Sequence, residues 1–211
     1  SNPRDQADFV VQRIRELQSE GIELEEMAVL YRAHFHSMEV QMELTSQGLP
    51  FLITSGLRFF EQAHIKDVSA FIRFVVNRKD EISFKRMCLI LTGIGPKTAD
   101  NLWKSWQQND AFSAQNPPQS FAAIMLSFKT PKKSLAQWEQ LCYTLDEMVT
   151  AEGFQIPSEM ISSVLDGVYD DYMRDSFENY EHRKQDVQQL MQYATGYTDV
   201  LEFLAQLSLM S

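Results

Sequence analysis

Only two stretches of this chain read as β-strand, and both fall within its first 55 residues: MAVLY, residues 27–31, and FLITS, residues 51–55. MAVLY is a short continuous apolar run of the kind a buried parallel strand shows, and FLITS is rich in β-formers. Between them Ser37 is placed to cap a helix running to about Gln47, with Gly48 as its stop. A connection with a helix inside it makes the two strands a parallel βαβ unit. Two parallel strands alone leave both faces and both edges in need of partners. The expectation is a fragment whose sheet is completed by strands from a longer polypeptide or by a second copy. The opening Ser1-Asn2, of the kind left by tag removal, points the same way.

Elsewhere the pattern is helical. Phe9, Val10, Ile14 and Leu17 recur at helical spacing over Asp5 to Ser19, and Gly21 closes that helix. HIKDVSAFIRFVVN (64–77) and EISFKRMCLILTG (81–93) are amphipathic helices. NPPQ (116–119) and KTPKK (129–133) are loops. Helical patterns then cover 134–152, 157–177, 181–196 and 199–209. The predicted fold class is α/β plus all-α: a small α/β piece over residues 1–77, then helices.

Net charge of −10, from 29 acidic and 19 basic residues, argues against non-specific DNA binding by the surface as a whole. The charge is uneven, however. Arg78 to Lys104 holds six basic residues and three acidic, whereas Glu139 to Asp186 holds twelve acidic and three basic. Cys88 and Cys142 lie far apart in apolar surroundings and read as buried thiols of a reducing compartment. The four histidines form no metal-ligand spacing, and no apolar run is long enough to cross a membrane.

GIGPKTADNLW, residues 93–103, is the most specific local feature. A helix, a tight glycine turn and a second helix expose backbone N–H groups at the second helix's start, where the dipole favours an anion. Gly93 and Gly95 let backbone approach a phosphate, Pro96 suits the first helical turn, and Lys97 and Thr98 add a cation and a hydroxyl. That is the logic of a helix-hairpin-helix contact with the DNA backbone. A glycine-stabilised corner between two core helices fits the same pattern equally well. Lys129, Lys132 and Lys133 either extend a basic patch or are ordinary solvated loop lysines, the commoner case.

AVLYRAHFHS, residues 28–37, ends its apolar run in Tyr31 and Arg32. Ligands of parallel α/β sheets gather at strand carboxyl ends, so Tyr31 is placed to stack on a base and Arg32 to reach a phosphate. The alternative is a core tyrosine and a solvated arginine, which spacing alone favours. Phe59 and Phe60 read as core, as do Trp103, Trp106 and Trp138 and the ten methionines. The chain carries no GxxxxGK[ST] phosphate loop, so it cannot hydrolyse ATP by itself.

Taken in order, these motifs resemble the UvrD/Rep/PcrA-type ATP-dependent DNA helicases of superfamily 1. MAVLYRAHFHS is similar to the motif opening their second motor domain. GLPFLITSGLRFFEQAHIKDVSAFIRFVVNRKD (48–80) is similar to the block that follows, and GIGPKTADNLW to a turn of their inserted 2B subdomain. The resemblance implies that 1–77 is the first part of RecA-like subdomain 2A, 78–190 is helical subdomain 2B, and 191–211 leads back towards 2A. It implies ATP and Mg²⁺ as cofactors of the full-length enzyme, with Tyr31 on the adenine and Arg32, as catalytic residue, on the γ-phosphate. It implies DNA at a single-strand/duplex junction as partner, contacted by Gly93, Ile94, Gly95, Lys97 and Thr98. The first motor domain of the same polypeptide would be a further partner, and the setting the bacterial cytoplasm. His36, Met38 and the pair His34-Phe35 depart from the family's usual residues, and His64 stands where it has glutamate. A helicase–nuclease subunit of the AddA/RecB kind, or a non-enzymatic helix-hairpin-helix or protein-interaction module, are the rival readings.

Overall fold

The computed structural model describes residues 3–31, 34–53, 59–109 and 120–209, and among these the chain is mostly helical. The helices are α1 (Pro3–Ser19), α2 (His34–Ser46), α3 (Ala63–Val76), α4 (Glu81–Leu89), α5 (Pro96–Gln107) and α6 (Phe121–Met125). They continue with α7 (Leu135–Glu147), α8 (Pro157–Val164), α9 (Asp170–Ser176), α10 (Tyr180–Ala194) and α11 (Val200–Leu209). A π-helical turn, Leu165–Tyr169, joins α8 to α9. The chain divides into two compact units, 1–62 with 208–211, and 63–207.

The first unit corrects the strand expectation. Residues 27–31 and 51–53 form no helix and belong to no ladder among the described residues. Leu30 and Leu52 are 94% and 91% exposed. A strand exists only through the backbone bonds of a neighbour, and an apolar run without that neighbour stays an extended loop. Residues 54 and 55 of FLITS lie outside the described residues. The core here is instead formed by α1 against α2: Val11, Ile14 and Leu44 are buried, with Leu24, Met27 and Phe51 packed against them. Helix α2 begins at His34, so Ser37 lies inside its first turns rather than capping it; its hydroxyl accepts from the Gln41 amide at 2.7 Å. Gly48 does stop the helix as expected, with a left-handed φ of +65° and a 2.9 Å bond from Leu49 N–H to the Leu44 carbonyl. Phe59 and Phe60 are core residues packed edge to face, centroids 5.0 Å apart.

The only paired strands among the described residues lie in the second unit, where β1 (Val149–Thr150) and β2 (Gly153–Phe154) form an antiparallel hairpin. Two-residue strands leave no periodic signal in a sequence. Helix α3, placed with the first piece by its sequence, packs in this second unit, where Phe71, Ile72, Phe74 and Val75 are buried. Phe74 is the hub of an aromatic cluster, with Phe84, Trp106 and Phe121 centroids at 5.1, 5.4 and 5.7 Å. Trp103, Trp106 and Trp138 are all core; Trp106 donates to the Arg78 carbonyl and Trp138 to that of Met125. Cys88 and Cys142 are buried free thiols, and burial pushes Cys142 up to about 12, beyond reach of ordinary thiolate chemistry.

Candidate nucleic-acid interface

The turn between α4 and α5 is fixed from inside. Leu91 and Ile94 are buried, and Ile94 N–H donates to the Leu91 carbonyl at 3.1 Å. Ile94 therefore anchors the turn and offers a ligand neither side chain nor donor. Gly93, at φ +86°, reverses the chain in a region L side chains avoid, and it is exposed. Gly95 caps α5 from extended backbone, and Pro96 occupies the first helical turn.

What the turn leaves unpaired defines its chemistry. Among the described residues the N–H groups of Gly93 and Gly95 meet no acceptor. Helix α5 has no side-chain cap and no acidic residue in its first turn. Its neighbours differ: Asp80 caps α4, and Asp146 receives the N–H groups of Phe121 and Ala122 at the start of α6. Lys97 is exposed and Thr98 half-buried on the first turn of α5. An uncapped helix start with a cation beside it is an anion-binding geometry.

The structure also brings the 129–133 loop to this place, which sequence spacing left open. Ser134, fully buried at the end of the 3₁₀ turn Lys132–Ser134, donates to the Thr92 carbonyl at 2.7 Å. Gln137 on α7 accepts from Thr92 N–H at 2.8 Å. These bonds span 42 and 45 residues, and they dock one loop against the other. The Lys133 stem lies across Gly93 so closely that a Cβ on the glycine would stand 2.0 Å from Cε. Among the described residues Lys97, Lys129, Lys132 and Lys133 form no ion pair, whereas Lys85 bridges Glu81 and Asp100 and Lys184 bridges Asp170.

The nucleotide-side candidates belong to the first unit. Tyr31 follows a segment without regular secondary structure and is 36% exposed, not a sealed core residue. Arg32 lies outside the described residues. Among the described residues no grouping of histidine, cysteine, aspartate and glutamate could hold a metal ion, and no helix is long and apolar enough to cross a membrane.

A buried polar network, invisible in the sequence, ties the second unit together. Asp67 on α3 accepts from Arg86 Nε on α4 and from Tyr169 Oη, both at 2.6 Å. His64 on α3 lies between Asp186 (3.0 Å) and Arg183 (2.9 Å) of α10. The network positions α4, and through it the turn that follows.

Comparison with known proteins places these features in a common frame. A family model described as "UvrD-like helicase C-terminal domain" matches residues 1–206. DNA helicase II of Escherichia coli K12 is 40% identical over 100 residues, 47% of this chain and 14% of that protein. DNA helicase II of Haemophilus influenzae is 29% identical across 90% of the chain and 26% of its own length. The ATP-dependent DNA helicase PcrA of Staphylococcus epidermidis is 24% identical across 99% of the chain and 29% of its own length. The chain thus spans less than a third of each of these curated relatives.

Proposed function

The chain belongs to the UvrD-like helicase C-terminal domain family, and from that membership we propose that it is part of an ATP-dependent DNA helicase of 3′→5′ polarity. In this reading residues 1–77 contribute to a RecA-like motor subdomain, 78–190 form the inserted helical subdomain, and 191–211 return to the motor. Residues 63–77 and 191–207, which this reading gives to the motor, pack in the second compact unit, 63–207, so the division into subdomains rests on the family resemblance rather than on the packing. The exposed apolar segments around Leu30 and Leu52 are then surfaces for the missing strands of the motor sheet. The protein works in the bacterial cytoplasm.

Nucleotide enters the scheme through Tyr31 and Arg32. The exposed Tyr31 ring fits stacking on the adenine, and Arg32 reaches the γ-phosphate from across the motor cleft. The phosphate loop and the Mg²⁺ ligands belong to the other motor domain, since this chain has no GxxxxGK[ST] motif. Bound ATP supplies the energy for closure between motor lobes, and the chain's own part is to hold the base and sense the terminal phosphate.

The observation that carries the DNA half is the uncapped start of α5, where Gly93 and Lys97 are exposed and Gly95 and Thr98 half-buried. Such a contact holds the duplex backbone and reads no sequence. The test is equilibrium binding of a duplex to the 211-residue chain, with Lys97→Gln/Thr98→Ala as the comparison. Weaker binding by the double variant, equal across sequences, supports the reading; unchanged binding makes the turn a structural corner. The chain alone is expected to show no ATP hydrolysis, and Mg²⁺-dependent turnover by it would overturn the motor assignment.

A further inference from the structure

The lysine loop at residues 129–133 has no role in the reading above, yet it is fastened to the glycine turn by two hydrogen bonds and a side-chain contact. Both bonds converge on Thr92: Ser134 takes its carbonyl and Gln137 its N–H. The 3₁₀ turn carrying Lys132 and Lys133 is thereby held in register with Gly93 rather than left to wander in solvent. Seating a lysine costs side-chain entropy unless the stem gains contacts. Here it gains them because Gly93 has no Cβ: the Lys133 Cγ, Cδ and Cε atoms occupy the space a side chain would need, at 2.9, 2.8 and 2.0 Å.

The charge pattern points outward. In a chain of net charge −10 these lysines have acidic residues in abundance, yet among the described residues neither Lys132 nor Lys133 nor Lys97 is paired. By contrast Lys85 on α4 has two carboxylates, Glu81 and Asp100. Cations left uncompensated beside two unbonded glycine N–H groups make a locally positive, donor-rich surface.

We infer that the phosphate grip is a clamp of two loops, in which Lys133, with Lys132 beside it, contacts the duplex DNA backbone together with the Gly93–Thr98 turn. This rests on the reading of that turn as a duplex contact. Gly93 then has two duties: it reverses the backbone, and it makes the floor on which the Lys133 stem lies. The clamp engages neighbouring phosphates of the backbone, Lys97 and the free N–H groups on one side and Lys133 on the other. It adds affinity without sequence preference, and it adds salt dependence, because each neutralised phosphate releases counterions.

The experiment measures binding of a blunt 20-base-pair duplex to the 211-residue chain over a series of salt concentrations. Lys133→Met retains the stem over Gly93 and removes only the charge, so folding is preserved; a melting curve matching the parent verifies this. The expected result is a slope of log K against log salt shallower by about 0.9, the value of one phosphate contact, with Lys133→Arg restoring it. Lys97→Met serves as the parallel arm. If Lys97→Met flattens the slope and Lys133→Met does not, the second loop is overturned and the turn's role stands. If the unaltered chain binds without salt dependence, the reading of the turn itself fails, and the clamp with it.

Discussion

Tyr169 donates its phenolic hydroxyl to Asp67 Oδ2 at 2.6 Å, across 102 residues of sequence, in the interior of the helical unit. Burial, and then the Asp67 charge, push the Tyr169 pKa up, so the phenol stays a neutral donor. The π-turn Leu165–Tyr169 inserts the extra residue that sets this ring between α8 and α9. Tyr169→Phe removes one donor from a carboxylate that Arg86 also holds. The expected cost is about 1.5–3 kcal/mol, the range for a hydrogen bond to a charged group, read as a fall in the urea midpoint. An unchanged midpoint would mean that Arg86 alone satisfies Asp67.

His64 has a fixed tautomer. Arg183 has only donors, so the imidazole Nδ1 that it meets at 2.9 Å accepts, and the proton sits on Nε2, facing Asp186 at 3.0 Å. His64→Glu, which restores the residue of the family pattern, puts a carboxylate where Asp186 needs a donor. The single variant is expected to be destabilised. Adding Asp186→Asn should recover part of the loss, with a coupling of about 0.5–3 kcal/mol across the four proteins of the cycle. Strict additivity would sever the two residues.

These two networks mark the limit of what the sequence discloses. The helices were legible because apolar residues repeat at 3.6, as in Phe71, Phe74 and Val75 of α3. The tryptophans and the Phe59–Phe60 pair were legible as core because large rings have few other places to go. The strands were misread because MAVLY carries the composition of a strand but not its partner, and pairing is not a local property. The glycine turn was legible as a turn from Gly93, Gly95 and Pro96 alone. That Lys133, forty residues on, lies against Gly93 was not, since only the docking of Ser134 and Gln137 onto Thr92 brings the loops together.

Asp170 makes a pH prediction. Its burial alone would raise its pKa, but hydrogen bonds from Lys184 and Tyr180, with the Lys184 and Arg174 charges, outweigh that and hold it below the usual 3.8. A depressed folded value means its stabilisation is present above about pH 4 and is lost as pH falls through the lower folded value. Asp170→Asn should therefore be less stable than the parent at pH 6, with the gap between their urea midpoints closing towards pH 3. A gap independent of pH would assign the effect to shape rather than charge.

Gly93→Ala separates backbone from side-chain cost at the clamp. The substitution meets two obstacles: a φ of +86° and the Lys133 stem in the Cβ's place. The first is rigid and costs about 1–2 kcal/mol for an L-residue. The second is an exposed, flexible side chain, though with Cγ among the atoms in the way it must turn at its base to clear the Cβ. Backbone should win, so Gly93→Ala is expected to lose about 1–2 kcal/mol whether or not Lys133→Ala accompanies it. A double variant recovering more than about 0.5 kcal/mol beyond additivity would show that the lysine is held rigidly rather than merely seated. Gly93→Ala should also flatten the salt dependence of duplex binding as Lys133→Met does, because a displaced stem carries its ammonium off the phosphate.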